Sequence, residues 1–152
     1  MYKFRTMVGD AEKKQSELEA LNEADGPVFK IKNDPRITPL GKYLRKTSID
    51  ELPQLLNVLK GDMSLIGPRP HALAHDDFFQ NILSDYAFRH HVKPGITGWA
   101  QCNGARGATP SIEHISERVK LDLWYINNWS VWLDLQILIR TTFEVLRKRN
   151  AY

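Results

Sequence analysis

Two adjacent carboxylates, Asp50 and Glu51, sit in the run Leu44-Arg45-Lys46-Thr47-Ser48-Ile49-Asp50-Glu51-Leu52-Pro53, shortly after two adjacent bases. Such a pair can hold magnesium through one or two protein oxygens completed by substrate phosphates. A carboxylate can also attack phosphorus and form an acyl phosphate. A structural reading competes. Ser48 and Glu51 have capping-box spacing, and acids at a helix start complement its dipole. Taken alone, the run favours capping. Pro53 is comfortable only in a first helical turn. A helix start close to Asp50 therefore leaves both carboxylates at its mouth, where backbone N–H groups can also receive phosphate.

Gly67-Pro68-Arg69-Pro70 forms the second chemical stretch. Proline on both sides holds Arg69 on a stiff loop, and a guanidinium so held suits bidentate capture of a diphosphate. By itself this arginine reads more simply as a loop residue in a salt bridge. His71 and His75 have i,i+4 spacing, but no glutamate lies between them as in a His-Glu-x-x-His zinc site. His90-His91 lies in a basic stretch, and zinc has little support. Gly104-Ala105-Arg106-Gly107 is a weak phosphate cradle, and no Walker, GxGxxG or GxSxG motif occurs.

The elements that must position these groups follow from pattern. The 152 residues are 42% hydrophobic and 26% charged, which excludes a disordered or collagenous chain. The one cysteine, Cys102, allows no internal disulfide and no cysteine zinc site. A net charge of +3, with basic residues concentrated between Pro27 and Lys46, suits an anionic partner without choosing one. Residues 2–7 alternate as a short strand, and Asp10 to Ala24 reads as a solvated helix broken at Asp25-Gly26-Pro27. Thr38-Pro39 caps a helix reaching Lys46. Leu52, Leu55, Leu56 and Leu59 form a helical stripe ended by Gly61. Ser64 to Pro70 reads as loop, Asp76 to Phe88 as helix, and Ile96 to Ala100 as a short strand after the Pro94-Gly95 bend. Ser111 caps a helix to Asn127. The fold class is α+β, mostly helical with a few short strands.

Residues 129–149 form the last helix, with no signal peptide or spanning segment elsewhere. Its apolar residues cover more than one stripe, interrupted by Asp134, Arg140 and Glu144 and closed by Arg147-Lys148-Arg149. It is too polar to span. Pattern alone favours a core helix, while Trp124, Tyr125, Trp129 and Trp132 point toward a membrane surface.

Together these stretches resemble the bacterial sugar transferase family, the single-pass membrane polyprenol-phosphate phosphoglycosyl transferases. The resemblance runs in order through nearly the whole chain. It rests on Tyr2-Lys3-Phe4-Arg5-Thr6-Met7, Asp34-Pro35-Arg36-Ile37-Thr38, the Leu44 to Gln54 run, and Asn57 to Pro70. Lys93-Pro94-Gly95-Ile96-Thr97-Gly98-Trp99-Ala100-Gln101 and Asp122 to Ser130 complete it. His71-Ala72-Leu73-Ala74-His75 and the Asn150-Ala151-Tyr152 end are similar to the glucose phosphotransferase subgroup.

That resemblance implies one compact catalytic domain over 1–152 with interfacial amphipathic helices. Family members continue upstream of the Lys-Phe-Arg stretch into a hydrophobic membrane segment, which this sequence, beginning at Met1-Tyr2, does not include. The implied reaction moves a sugar-1-phosphate, glucose first, from a UDP-sugar to undecaprenyl phosphate at the cytoplasmic face of the bacterial inner membrane, with Mg2+ as cofactor. Asp50 takes the nucleophile's role, and Glu51 shares the metal with it. Arg45 and Arg69 hold phosphates, and Lys3, Asp122 and Asp134 match other substrate-binding positions. UDP-sugar, undecaprenyl phosphate and an anionic membrane surface are the expected partners, and nucleic acid is not. The same reaction on galactose or an N-acetylated amino sugar is the near alternative. An idle membrane-surface or nucleic-acid-binding module is the distant one.

Overall fold

The computed structural model describes residues 1–23, 29, 31–71, 73–105 and 111–147. Six helices and two short strands carry the site. Helix α1 (Pro39–Thr47) begins as expected: Thr38 Oγ1 accepts the Gly41 N–H at 2.9 Å, and Pro39 occupies the first turn. It ends at Ser48, whose φ of 58° is left-handed. That reversal throws the chain into a 3-10 turn, Ile49–Glu51, ahead of α2 (Gln54–Leu59). Gly61, with φ of 80°, closes α2.

Strand β1 (Ser64–Ile66) pairs in parallel with β2 (Gly95–Thr97), Ser64 opposite Gly95 and Ile66 opposite Thr97. The two backbones then approach closely. A side chain on Gly95 would place Cβ 2.2 Å from the Gly67 nitrogen, so only glycine fits there. Helix α6 (Val131–Arg147) packs on both strands, α4 (Trp99–Cys102) packs on α5 (Ile112–Asn127) and α6, and α5 and α3 (Leu73–Ile82) both pack on the 3-10 segment Tyr86–His91. One core cluster joins Ile66, Tyr125, Leu133 and Ile137, and a second joins Phe79, Tyr86, Ile115 and Val119.

The α+β, mostly helical class is observed, with several local differences. Residues 2–7 are not a strand. Their backbone bonds go to helix ends and loops: Phe4 N–H to Asp50 O, and Thr6 O from Thr38 N–H, both at 3.0 Å. Only Met7 forms a β-bridge, with Ile37. The solvated helix is a 3-10 helix confined to Lys13–Leu21; it buries no residue, so no core face holds it in α geometry. Ser64–Ile66, read as loop, is β1, because β2 supplies its partners. The strand expected over Ile96 to Ala100 stops at Thr97, and Trp99 and Ala100 open the helix Trp99–Cys102. Ser111 makes no side-chain cap, and its hydroxyl instead meets His114 Nδ1 at 2.8 Å. The Asp25-Gly26-Pro27 break, Arg106-Gly107, and Lys148-Arg149 with the Asn150-Ala151-Tyr152 end lie outside the described residues.

Two helices turn apolar side chains outward. On α2, Leu55, Leu56 and Leu59 are exposed, as is Leu52 just before it, while Gln54 and Asn57 are buried. On α6, Leu133 and Ile137 enter the core, while Val131, Trp132, Leu135, Leu138, Ile139 and Phe143 are exposed. No helix among the described residues is long and apolar enough to cross a membrane.

Candidate active site

The 3-10 turn after Ser48 sets Asp50 and Glu51 beneath the N-terminal segment. Asp50 is 1% exposed rather than lying open at a helix mouth. The Phe4–Asp50 backbone bond lays the N-terminal segment across this turn, so Lys3 covers the carboxylate. Lys3 Nζ lies 3.0 Å from Asp50 Oδ2 and 3.5 Å from Glu51 Oε1. The Asp50 contact is an ion pair without an aligned hydrogen bond, and Oδ2 is closed to solvent. Ser48 makes no side-chain cap to this turn, so the capping box is not formed.

Glu51 receives a two-pronged grip from Arg69. Arg69 Nη1 donates to Oε2 at 3.1 Å, and Nη2 donates to Oε1. Burial alone would push the Glu51 carboxyl up. The Arg69 hydrogen bonds and charge, helped by Lys3, outweigh it and hold the group below the ordinary carboxylate range.

Arg69 is itself anchored from behind. Gly95 N–H donates to Pro68 O at 3.0 Å, pinning the loop to β2. Arg89 Nη2 donates to Arg69 O at 2.7 Å, and Arg89 Nε donates to Asp122 Oδ2 at 2.8 Å. Asp122, on α5, reaches the site only through Arg89 in this arrangement and is 2% exposed. Its burial raises the carboxyl pKa despite the pull of Arg89.

A third guanidinium, Arg118, lies one helical turn before Asp122. Burial, then the charges of Arg69 and Arg89, pull it down to about 10. His71 links the group. Tyr86 Oη donates to Asp76 Oδ1 and lies 2.6 Å from His71 Nδ1. His71 Nδ1 also lies 3.3 Å from Arg89 Nη1, and its Nε2 lies 3.4 Å from Arg118 Nη1, so the ring bridges two guanidinium groups. Arg69, Arg89 and Arg118 therefore concentrate positive charge behind the carboxylate pair, a setting for a polyanion.

The sequence reading missed Arg89 and Arg118. Arg89 was visible only as a basic neighbour of His90-His91, and Arg118 sits on α5 with no motif around it. Of the expected residues, Lys3, Asp50, Glu51 and Arg69 are in direct contact. Arg45 donates from Nε to Thr6 Oγ1 at 2.9 Å and holds the same N-terminal segment. Asp134 is elsewhere in the contact network: it accepts from Tyr125 Oη at 2.7 Å and Trp129 Nε1 at 3.1 Å, tying α5 to α6.

A buried carboxylate, a second held ionised beside it, and three arginines are thus gathered at one place in the fold. The chain matches the family described as bacterial sugar transferase over residues 1–148, and it belongs to that family. It is 53% identical over 120 residues to the UDP-glucose:undecaprenyl-phosphate glucose-1-phosphate transferase of Escherichia coli (strain K12), covering 79% of this chain and 26% of that protein. A Klebsiella pneumoniae protein of the same name is 45% identical over 152 residues, covering all of this chain and 30% of the relative. The undecaprenyl-phosphate galactose phosphotransferase of Salmonella typhimurium is 44% identical over 159 residues, covering 99% of this chain and 31% of the relative. The chain thus spans under a third of the length of these relatives.

Proposed function

We propose that this chain is a catalytic domain that transfers a sugar-1-phosphate, glucose-1-phosphate first, from a UDP-sugar to undecaprenyl phosphate. The observation that carries this is the buried Asp50 beside Glu51, enclosed by Lys3 and Arg69. The names of the relatives supply both substrates.

The incoming diphosphate draws Lys3 off Asp50, exchanging one anion for another. An Asp50 oxygen then attacks the sugar-linked phosphorus. A carboxylate–phosphorus bond forms, the bridging P–O bond breaks, and UMP leaves with the electron pair. An oxygen of undecaprenyl phosphate next attacks the same phosphorus and frees the Asp50 carboxylate. Both nucleophiles are already anions, so neither step needs a general base. Their obstacle is charge repulsion, which Lys3 and Arg69 offset, with Arg89 and Arg118 behind them.

Magnesium fits this donor set. Asp50 Oδ2 is a buried hard oxygen without a hydrogen-bond partner, while both Glu51 oxygens are engaged by cations. Asp50 would hold the ion, and Glu51 would join it when Arg69 turns to phosphate. When bound, the ion would neutralise the charge of the diphosphate.

The exposed leucines of α2 and the outer face of α6 support a second part of the reading. They suit the cytoplasmic leaflet of the bacterial inner membrane, where a polyprenyl acceptor is found. The test is incubation with Mg2+ and UDP-glucose or UDP-galactose, each labelled in the sugar. Label trapped on Asp50 with matching UMP release is expected, faster from UDP-glucose. No covalent label from either donor would reject the reaction, and faster labelling from UDP-galactose would reassign the sugar.

A further inference from the structure

A cleft of about 140 Å³ opens beside the carboxylate pair, between α2, β2, α4 and α6. Glu51 forms its inner edge. Leu52, Leu55, Ile96, Cys102 and Thr141 supply most of its walls. Ser48 and the Glu144 carboxylate complete its lining, and several of the polar groups between them are engaged with one another. Thr97 and Thr141 hydroxyls meet at 2.7 Å, and Cys102 Sγ meets Thr141 Oγ1 at 3.3 Å. Gln101 donates to Ile96 O at 3.4 Å, and its Oε1 is buried without a hydrogen-bond partner. A cleft of this volume with apolar walls takes a group about the size of benzene, which is five or six carbons.

We infer that this cleft holds the first isoprenyl unit of the polyprenyl phosphate acceptor. The inference rests on the proposed reaction for the acceptor's identity. Three observations point to that occupant. The cleft shares Glu51 with the phosphate-handling site, so an apolar group seated there has its attached phosphate within reach of Lys3 and Arg69. Its outer walls, Leu52 and Leu55, belong to the exposed leucine stripe of α2, so the apolar path continues outward for the following units. Its volume admits one such unit and not a chain. A sugar ring would find carboxylates only at Glu51 and Glu144 and would leave the hydroxyls facing Leu52, Leu55 and Ile96 unsatisfied.

Cys102 is the chain's single cysteine, so its alkylation reports on this wall alone. The full chain would be treated with N-ethylmaleimide alone, or with farnesyl phosphate, farnesol, inorganic phosphate or UDP-glucose. Farnesyl phosphate at ten times its dissociation constant should slow alkylation about tenfold, because the free fraction falls by that factor. Inorganic phosphate and UDP-glucose should leave the rate unchanged, and farnesol should protect only at higher concentration. Leu55→Asp, at a half-exposed wall position, should abolish protection while circular dichroism stays native. If that variant is misfolded, Leu55→Asn takes its place. Protection by UDP-glucose but not farnesyl phosphate would overturn the inference, as would no protection by either. Labelling of Asp50 from UDP-glucose, run in parallel, separates the two readings. Label without farnesyl phosphate protection sinks the cleft alone, and protection without label sinks the reaction alone.

Discussion

Replacing Asp122 with asparagine should damage stability and turnover through one buried ion pair. The Arg89 Nε to Asp122 Oδ2 distance is 2.8 Å, and both side chains are almost fully buried. At an effective dielectric of about 20, that separation corresponds to roughly 6 kcal/mol of attraction. Desolvation opposes it: the raised Asp122 pKa says that burial outweighs the pull of Arg89 on this carboxyl. The intact pair is therefore near break-even against an apolar pair, but removing one charge leaves the other stranded. Asp122→Asn leaves Arg89 and Arg118 buried without that acid, at a cost of about 3–5 kcal/mol. In a domain of this size that lowers the melting temperature by roughly 6–20 °C. The double variant Arg89→Met with Asp122→Leu should recover most of this stability. It should not recover turnover, because the Arg89 donor to Arg69 O is gone. Thermal unfolding and UMP release on the wild type, Asp122→Asn, the singles Arg89→Met and Asp122→Leu, and the double provide the cycle. A loss below about 1 kcal/mol for Asp122→Asn would refute the desolvation argument. Full activity in the double variant would refute the positioning of Arg69.

Other outcomes follow from the same geometry. Asp50→Asn should keep the fold and lose covalent labelling, checked by circular dichroism and intact-protein mass. Glu51→Gln should weaken magnesium dependence, while Arg69→Ala should mainly weaken nucleotide binding, by about 1.5–3 kcal/mol; separate metal and nucleotide titrations distinguish them. The Glu51 pKa lies below its ordinary 4.5, so its ion pairs stabilise the fold above that pH and lose their effect as pH falls through the folded value. Urea midpoints of wild type and Glu51→Gln should therefore differ at neutral pH and converge in acid. Trp132 is 67% exposed, so anionic vesicles should blue-shift tryptophan emission and co-sediment the protein, more strongly in low salt.

Features written in a few consecutive residues were legible in advance. Thr38-Pro39 specifies its helix start through a bond three residues long. The Asp-Glu pair and the Pro-Arg-Pro loop are each written within a few residues, and the fold joins them through Glu51 and Arg69. What escaped depends on distance in the chain. Arg89 and Asp122 meet across 33 positions, so neither predicts the other. Residues 2–7 alternate like a strand, but a strand requires a neighbour, and the fold offers helix ends instead. Periodicity placed four leucines on one side of the α2 region correctly, yet period alone does not say whether that side faces protein or solvent.

The inverted placing of α2 has a consequence for mutation. Asn57 Oδ1 accepts the Tyr2 N–H at 2.8 Å, and its backbone carbonyl accepts from Asp62 at 2.9 Å. Rolling the helix to hide its leucines would strand the Tyr2 donor, so apolar attraction cannot turn it over without a compensating partner. The usual tolerance rule is thereby reversed along this one segment. Leucine to serine on the outer side should leave the isolated fold intact. Asn57→Leu, conservative by hydrophobic reasoning, should loosen the N-terminal strap that carries Lys3. The same polar underside would strengthen in a low-dielectric setting. A lipid surface would then fix the helix orientation more firmly than water does.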